Sequence, residues 1–379
     1  MSAEPPVGAA VRPVLTGIGD EAALGVAGQI AAVTALGWRS VELRTIDGTP
    51  VADLSRADFD RAAGTLADAG VAVSAVDARI GGWARPVTAD FTADLAELDV
   101  LARRCARLGA SRVRVMSFPN DGLGAAEWER EVLRRFAELA RRAQALGVTL
   151  LHENCAGWAG ADPARMLRLL DAAGPALALL HDTGNGPAYG YDAFALLTRL
   201  LPYADRIAHV HVKDALTAPG RPPRYCEPGT GDLRVAETLR LLLAHGYRGA
   251  LSIEPHIAVR PHEAHRAPED RCAAAFHRCG LALTRLLDET GAGAGASYGT
   301  ARVAGQGMPE GAARLPRPAA GVWGGAVRAA GRLLPVRDGA GGPPGTEGSP
   351  GRTTGAGSDL AGRAGVAPLP GPVRREPLP

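Results

Sequence analysis

Short apolar runs alternate with longer stretches of helical periodicity over the first 290 residues of the chain. Eight runs rich in β-branched residues predict strands, and between most of them apolar residues recur every three or four positions, as in 94–110 and 131–147. The predicted strands are 13–19, 40–44, 71–77, 112–118, 148–154, 176–182, 207–214 and 249–255. This rhythm predicts an α/β fold, a (β/α)8 TIM barrel over residues 13–290.

A doubly wound open sheet is the competing architecture. In its dinucleotide-binding form, that fold carries a GxGxxG fingerprint directly after the first strand. Here the first predicted strand leads into TGIGDEA, which lacks the third glycine. The barrel is therefore the favoured fold.

The composition changes near residue 290. Residues 291–379 contain 22 Gly and 12 Pro among 89 residues, with 10 Arg against 5 acidic residues. Such a segment lacks the apolar pattern needed to offset the conformational entropy lost in forming a packed core. We predict a disordered Gly/Pro/Arg-rich tail at 291–379 and a flexible N-terminus at 1–12. A basic interaction tail is the alternative, but the arginines are scattered singly instead of clustered.

Charge and hydropathy argue against several classes of partner. The formal net charge is +2, which gives no basic footprint for nucleic acid or for a membrane surface. The N-terminus lacks the basic and apolar regions of a signal peptide, and no run of about 18 apolar residues occurs. Five cysteines without a CxxC pair suit reduced thiols. We expect a cytoplasmic protein without a nucleic-acid or membrane partner, and a homo-oligomer is compatible with these features.

Polar side chains gather where the last four predicted strands end. Glu153, Asp182 and His211 follow one another at intervals of 29 residues, and Glu254 ends the eighth strand. Because the carboxyl ends of barrel strands meet at one face, these side chains are expected at equivalent heights around the mouth. Any one of them alone would be an ordinary strand-end polar residue. Together, three carboxylates and one imidazole suit a divalent cation such as Mn²⁺, Mg²⁺ or Co²⁺, and Zn²⁺ is also compatible.

The strand-end motifs carry a family resemblance. LLHENCAGWAG, LLHDTGN, IAHVHVKDA, PGTGDL and ALSIEPH, in this order, resemble the xylose isomerase-like TIM barrels of the sugar phosphate isomerase/epimerase family, over about residues 12–288. The resemblance implies an acid and base role for Glu153 and Glu254. It does not imply a phosphorylated substrate, because many members act on free sugars, keto-acids or cyclitols. The metal ligands that it implies are Glu153, Asp182, His211 and Glu254.

The expected chemistry is proton transfer beside a carbonyl group. A metal that bridges the carbonyl and the adjacent hydroxyl oxygen stabilises an enediolate, and two flanking carboxylates can exchange the proton. We therefore expect a metal-dependent isomerase or epimerase of a small sugar or related hydroxy-ketone, a polyhydroxy carbonyl compound. One alternative is an inosose-type dehydratase, in which the same enolate expels β-hydroxide, because HVHVKD resembles the form found in those enzymes. Another is a non-catalytic sugar-binding barrel, which would not require two balanced glutamates.

Departures from the family pattern disfavour two narrower assignments. The DNA repair endonucleases and the ketose 3-epimerases of this family carry a histidine three residues after the strand-six aspartate, where this chain has Asn185. The epimerases also tend to have a glutamate and an arginine where Ala159 and Thr217 stand here. These departures leave the predicted metal ligands untouched.

Lys213 is the single lysine in a chain whose other 41 Lys+Arg residues are arginines. Side chains alternate along a strand, so His209, His211 and Lys213 share the inward face, with Lys213 highest. A lone lysine there indicates a place where a compact ammonium fits and a planar guanidinium does not. We predict that Lys213 pairs with Asp182 or Glu254, or donates to a substrate oxygen. The alternative is a chance survivor that points to solvent.

Further residues are predicted to contact substrate, each with a structural alternative. Glu42 shares a strand face with Arg44, with which it could instead form an ion pair at the rim. Trp158 could wall the pocket or pack in the core. Asn185 could donate to a substrate hydroxyl or cap a helix. The predicted substrate contacts are Lys213, Asn185, Glu42, His209 and Trp158.

Overall fold

The computed structural model describes residues 13–293, in which eight parallel strands form one sheet. Along the sheet the strands follow the order β1, β8, β7, β6, β5, β4, β3, β2, and a parallel bridge between Ile18 and Glu42 joins its two ends. The predicted TIM barrel is thus confirmed. The strands are β1 Val14–Gly17, β2 Ser40–Leu43, β3 Ala72–Asp77, β4 Arg112–Ser117, β5 Thr149–Gly157, β6 Leu177–Asp182, β7 Ile207–Val212 and β8 Ala250–Ile253.

Helices follow the strands and cover the outside of the sheet. The third helix illustrates how the sequence sets their ends. The Asp90 carboxylate accepts the backbone N–H of Thr92 at its start, and Gly109 ends it with a φ of 67°. The helices are α1 Val26–Ala35, α2 Arg56–Asp68, α3 Phe91–Leu108, α4 Ala125–Ala145, α5 Pro163–Ala173, α6 Gly186–Tyr189, α7 Ala193–Leu200, α8 Val235–Ala244 and α9 Glu269–Gly293.

Three short antiparallel hairpins follow β2, β7 and β8, on the face of the barrel where the strands end. The hairpin after β7 pairs Asp214–Leu216 with Arg224–Cys226. The buried carboxylate of Asp214 accepts backbone N–H groups from Gly229, Gly231 and Leu233. This aspartate therefore ties the loop that leads to α8 against the end of β7.

Two apolar regions support the mouth of the barrel. The larger core lies between sheet and helices and includes Trp158, Phe118 and Phe136 among its largest fully buried side chains. A smaller cluster contains Leu151 and Leu180, each two residues before a predicted metal ligand. Inward positions on β5 and β6 therefore change from apolar to charged as the strands approach the mouth.

The predicted terminal segments lie almost wholly outside the described residues. These are the flexible N-terminus at 1–12 and the tail at 291–379, although α9 continues across the predicted boundary as far as Gly293. All five cysteines are buried and free. In the part of the chain that the structure describes, no helix is both long and apolar enough to cross a bilayer.

Replacing Trp158 by alanine tests the packed outer core. Trp158 is 2% exposed, whereas Trp83 is 54% exposed and provides a matched control. Trp158→Ala is expected to lower the free energy of unfolding by about 3–5 kcal/mol, because it leaves a cavity in the core. Trp83→Ala is expected to change it by no more than about 0.5 kcal/mol. Denaturant unfolding measures both, and equal effects would contradict the assigned packing.

Candidate metal centre

The four sequence-predicted ligands converge at the mouth of the barrel. One donor atom from each of Glu153, Asp182, His211 and Glu254 lies within 4.8 Å of every other. The Nδ1 atom of His211 stands 3.0 Å from Glu254 Oε2, and 3.6 Å from both Glu153 Oε1 and Asp182 Oδ2. All four residues are buried. Parallel pairing brings them together, since Asp182 and His211 are direct register partners on β6 and β7.

The arrangement of their lone pairs fits a divalent cation. His211 Nδ1, Asp182 Oδ2 and Glu254 Oε2 are buried and face one another, and the two carboxylate oxygens also stand 3.0 and 2.8 Å from Lys213 Nζ. Burying several polar donors of this kind is costly, and a cation shared among them would accept lone pairs from all three at once. Carboxylate oxygens and an imidazole nitrogen are the donors that Mn²⁺, Mg²⁺, Co²⁺ and Zn²⁺ accept.

Electrostatics keep the two glutamates ionised. Burial alone would raise the pKa of Glu153, but Arg114 and His211 lower it to about 2. Burial acts in the same direction on Glu254, and there Lys213, His256 and His211 bring the pKa well below its ordinary value. Both carboxylates therefore carry a negative charge at neutral pH.

The other two predicted ligands respond differently to their surroundings. Burial raises the pKa of Asp182 despite the opposing charge of Lys213. Burial would lower the pKa of His211, but Glu42 and hydrogen bonding to the three carboxylates raise it well above its ordinary value. A proton on His211 Nδ1 therefore neutralises part of the carboxylate charge, and a bound cation would take that proton's place.

The side chain of Lys213 is buried beside the predicted ligands. Its Nζ stands 3.0 Å from Asp182 Oδ2 and 2.8 Å from Glu254 Oε2. The Thr183 hydroxyl donates to the Lys213 carbonyl at 2.6 Å and accepts its N–H at 3.0 Å. A Cβ at Gly184 would stand 1.9 Å from Lys213 Cγ. The residues after Asp182 thus leave room for this side chain and hold its backbone.

Asn185 links two of the charged groups. Its Nδ2 donates to Glu153 Oε1 at 2.9 Å, and its Oδ1 accepts from Lys213 Nζ at 3.2 Å. It precedes α6, yet its side chain makes no capping hydrogen bond to that helix. Of the two roles considered for Asn185, the structure does not show the helix cap, and contact with a substrate hydroxyl stays a prediction.

Three residues that were predicted to contact substrate are packed against other groups of the protein. Glu42 does not lie at the rim with Arg44; its buried carboxylate stands 2.8 Å from His209 Nε2 and 3.0 Å from His211 Nε2, beneath the candidate centre. His209 is buried there with it. Trp158 belongs to the outer core, where Arg165 and Arg168 cover its ring at 5.4 and 5.6 Å. Their positions do not support substrate contact by Glu42, His209 or Trp158.

Two arginines that were not among the predicted site residues, buried Arg114 and partly buried Arg44, flank Glu153 and Glu254. Arg114 donates to Asp77 Oδ2 at 2.8 Å, and its Nε lies 3.5 Å from Glu153 Oε2. Arg44 Nη1 lies 3.3 Å from Glu254 Oε1. The sequence did carry a signal for Arg114, because this arginine stands between Val113 and Val115 in the fourth predicted strand, at the parity that faces the lumen.

His256 also contacts Glu254 and forms part of a second acidic group. Its Nε2 lies 2.9 Å from Glu254 Oε1 and 3.5 Å from Glu21 Oε1. The Arg44 guanidinium already lies 3.3 to 3.5 Å from those same two carboxylate oxygens. Burial raises the pKa of Glu21 to about 8, which further reduces the negative charge there. This group is therefore an ion-pair network around Arg44.

Replacing Gly184 by alanine tests the packing of Lys213. Gly64→Ala in α2 is the control, because no neighbouring atom lies within 4 Å of a Cβ added at Gly64. The clash at 184 is expected to displace Lys213 and to lower the free energy of unfolding by about 1–3 kcal/mol. Gly64→Ala should be neutral or stabilising by up to about 1 kcal/mol. Because Lys213 is the single lysine, an amine-reactive reagent followed by peptide mass spectrometry reads its exposure directly. Equal labelling of both variants would contradict this packing.

Comparisons with known proteins agree with the motif resemblance. A sequence profile of the xylose isomerase-like TIM barrel matches residues 30–272. The chain is 29% identical over 206 residues to the rhizopine catabolism protein MocC of Rhizobium meliloti, covering 48% of this chain and 62% of that protein. It is 32% identical over 132 residues to an inosose dehydratase of Halalkalibacterium halodurans, covering 31% and 43%. The matches thus span less than two thirds of either relative.

Solved structures share the fold over most of the described chain. An IolI protein with a bound zinc atom matches with a TM-score of 0.58 at 15% identity, over 73% of this chain and 99% of that one. L-ribulose 3-epimerase matches with a TM-score of 0.57 at 18% identity, over 75% and 97%. Since the profile covers more than half of the sequence and the barrel is closed as expected, this protein belongs to the xylose isomerase-like TIM barrel family.

Proposed function

We propose that this protein is a divalent-metal-dependent isomerase or epimerase of a small sugar or related hydroxy-ketone. The observation that carries the proposal is the pair of ionised glutamates, Glu153 in β5 and Glu254 just after β8, which approach His211 Nδ1 from different strands. Two carboxylates placed in this way can take a proton from one carbon and return it to a neighbouring carbon or to the other face.

The ion would be held by the four converging donors. Mn²⁺, Mg²⁺ and Co²⁺ suit the three carboxylates best, and Zn²⁺ is compatible with the same set. When bound, the ion would polarise the carbonyl and the adjacent hydroxyl oxygen of the substrate. The ligand residues are Glu153, Asp182, His211 and Glu254.

Surrounding residues hold the two glutamates in place for proton transfer. Asn185 donates to one oxygen of Glu153, and Arg114 lies beside the other. His256 and Arg44 flank Glu254 Oε1, so Oε2 is the oxygen that faces the candidate centre. A fixed carboxylate loses little freedom when it meets the substrate, which favours proton transfer.

Lys213 would contribute a positive charge to the substrate pocket. Its ammonium lies among Asp182, Glu254 and Asn185, at the level of the predicted ligands. Burial would lower the pKa of Lys213, but Asp182 and Glu254 raise it well above its ordinary value, so it stays charged. We place it as a donor to a substrate oxygen. A Schiff base is unnecessary, because a metal would already supply the electron sink.

A dehydratase of an inosose-type keto-cyclitol is the second candidate. The partial matches to proteins named inosose dehydratase favour it, together with the HVHVKD sequence at the end of β7. Both reactions begin with the same proton abstraction by a glutamate. They differ in whether the enolate is reprotonated or expels hydroxide from the β carbon.

Incubation with candidate substrates in D₂O and Mn²⁺ tests the proposal. The panel contains keto-sugars, inososes and hydroxypyruvate, and mass spectrometry with NMR reads deuterium on carbon. Isomerisation or epimerisation places deuterium in the product without loss of water, whereas a dehydratase releases water. Binding of a sugar without any exchange would support the non-catalytic barrel and contradict the proposal.

Variants assign the chemistry to residues. Glu153→Gln and Glu254→Gln are expected to slow exchange by about 10²–10⁴-fold, the usual contribution of a general acid or base. Asp182→Asn and His211→Ala should also deplete bound metal. Glu97→Gln is the control, because Glu97 is a buried glutamate of α3 that pairs with Arg79 and Arg85. Full metal occupancy in both the Asp182 and His211 variants would show that the ligand assignment is wrong.

A further inference from the structure

Glu42, His209 and His211 form a buried triad directly beneath the candidate metal centre. Each of the three residues is 0% exposed. Glu42 belongs to β2 and the histidines belong to β7, and these strands are not neighbours in the sheet. The Glu42 side chain therefore crosses the lumen of the barrel to reach them.

The two nitrogens of His211 face different partners. Nε2 lies 3.0 Å from Glu42 Oε1, whereas Nδ1 faces Glu153, Asp182 and Glu254. An imidazole that binds a metal through Nδ1 carries its proton on Nε2. Glu42 Oε1 is the acceptor that the structure provides for that proton. The contact thus fixes both the tautomer and the rotation of the ring.

His209 occupies the other oxygen of the same carboxylate. Its Nε2 lies 2.8 Å from Glu42 Oε2, and its ring meets the ring of His211 edge-on at a centroid distance of 5.5 Å. Both oxygens of a carboxylate accept hydrogen bonds, so Glu42 can receive one N–H from each imidazole. An amide has one acceptor and would present its NH₂ group to the second N–H. A glutamine at this position would therefore leave one histidine without its partner.

We propose that Glu42, held by His209, is a positioning residue that orients His211 for metal binding, and that neither Glu42 nor His209 contacts substrate. The inference rests on the proposed metal-dependent function and adds to it. Partners of this kind raise ligand basicity and fix the ring, and their loss typically weakens metal affinity by about 10–100-fold.

Metal affinity measured directly tests the inference without reference to catalysis. Mn²⁺ is titrated into the full chain, and the free ion is quantified from its electron paramagnetic resonance signal. Glu42→Gln is expected to raise the Kd by about 10–100-fold. Glu97→Gln, which also removes a buried glutamate charge, is expected to leave the Kd within about threefold of wild type, because it touches no predicted ligand. Thermal unfolding of both variants without metal reports any general loss of stability.

Glu42→Asp provides the conservative comparison and replaces Glu42→Gln if the latter does not fold. Its carboxylate keeps both acceptors but is one methylene too short to reach both imidazoles at the observed distances. It should bind Mn²⁺ more weakly than wild type by at least about threefold and, where both variants fold, more tightly than Glu42→Gln. If the folded Glu42→Gln variant binds Mn²⁺ with wild-type affinity, the positioning role is wrong. If only Glu42→Asp folds, wild-type affinity in that variant has the same meaning. Either result would leave the proposed function standing. A wild-type chain that binds no Mn²⁺ would overturn the proposed function itself.

Discussion

Ionised carboxylates that converge in a buried space repel one another, and this repulsion governs the other contacts at the mouth of the barrel. Glu153, Asp182 and Glu254 point at His211 Nδ1 from three different strands. Removing such charges from water costs several kcal/mol per ion unless partners compensate. A bound divalent ion would offset this repulsion, and the buried cations around it limit the cost in its absence.

Each carboxylate lies beside a positively charged side chain that offsets its negative charge, and these side chains come from separate strands. Arg114 on β4 supports Glu153, whereas Arg44, just beyond β2, supports Glu254. Lys213, just beyond β7, lies between Asp182 and Glu254. The closed sheet makes this distribution possible, because all eight strands deliver their ends to one small area. Lys213 also explains why a glycine stands at position 184, because a Cβ added there would overlap the aliphatic part of the lysine side chain.

Sequence periodicity was sufficient for the fold and for the heights of the predicted ligands. In a parallel barrel the side chain alternates at every residue, and successive strand ends lie at similar levels, so equal spacing along the chain becomes proximity in space. The same reasoning placed Lys213 above His211 on the inward face. The sequence left its partner open among Asp182, Glu254 and a substrate oxygen, and in the structure its Nζ contacts both carboxylates.

The alternation of side chains along a strand predicts which face a residue occupies, but not how far its side chain extends. The partners of several side chains therefore could not be predicted from the sequence. Glu42 was expected either to contact substrate or to pair with Arg44 at the rim, whereas its carboxylate extends across the lumen to His209 and His211. Trp158 follows a predicted ligand strand, yet the chain turns there and packs its ring against the helical layer. His256 approaches Glu254 through a backbone with φ of 52°, which no periodic pattern indicates.

The central claim is that the convergent donors bind one divalent cation. Anomalous diffraction at the manganese edge, from crystals of the full chain equilibrated with Mn²⁺, tests it most directly. The account predicts a single strong peak at the mouth of the barrel, roughly 2.0–2.5 Å from His211 Nδ1 and from oxygens of Glu153, Asp182 and Glu254. An empty mouth at saturating Mn²⁺, with Lys213 Nζ still paired to Asp182 and Glu254, would contradict it.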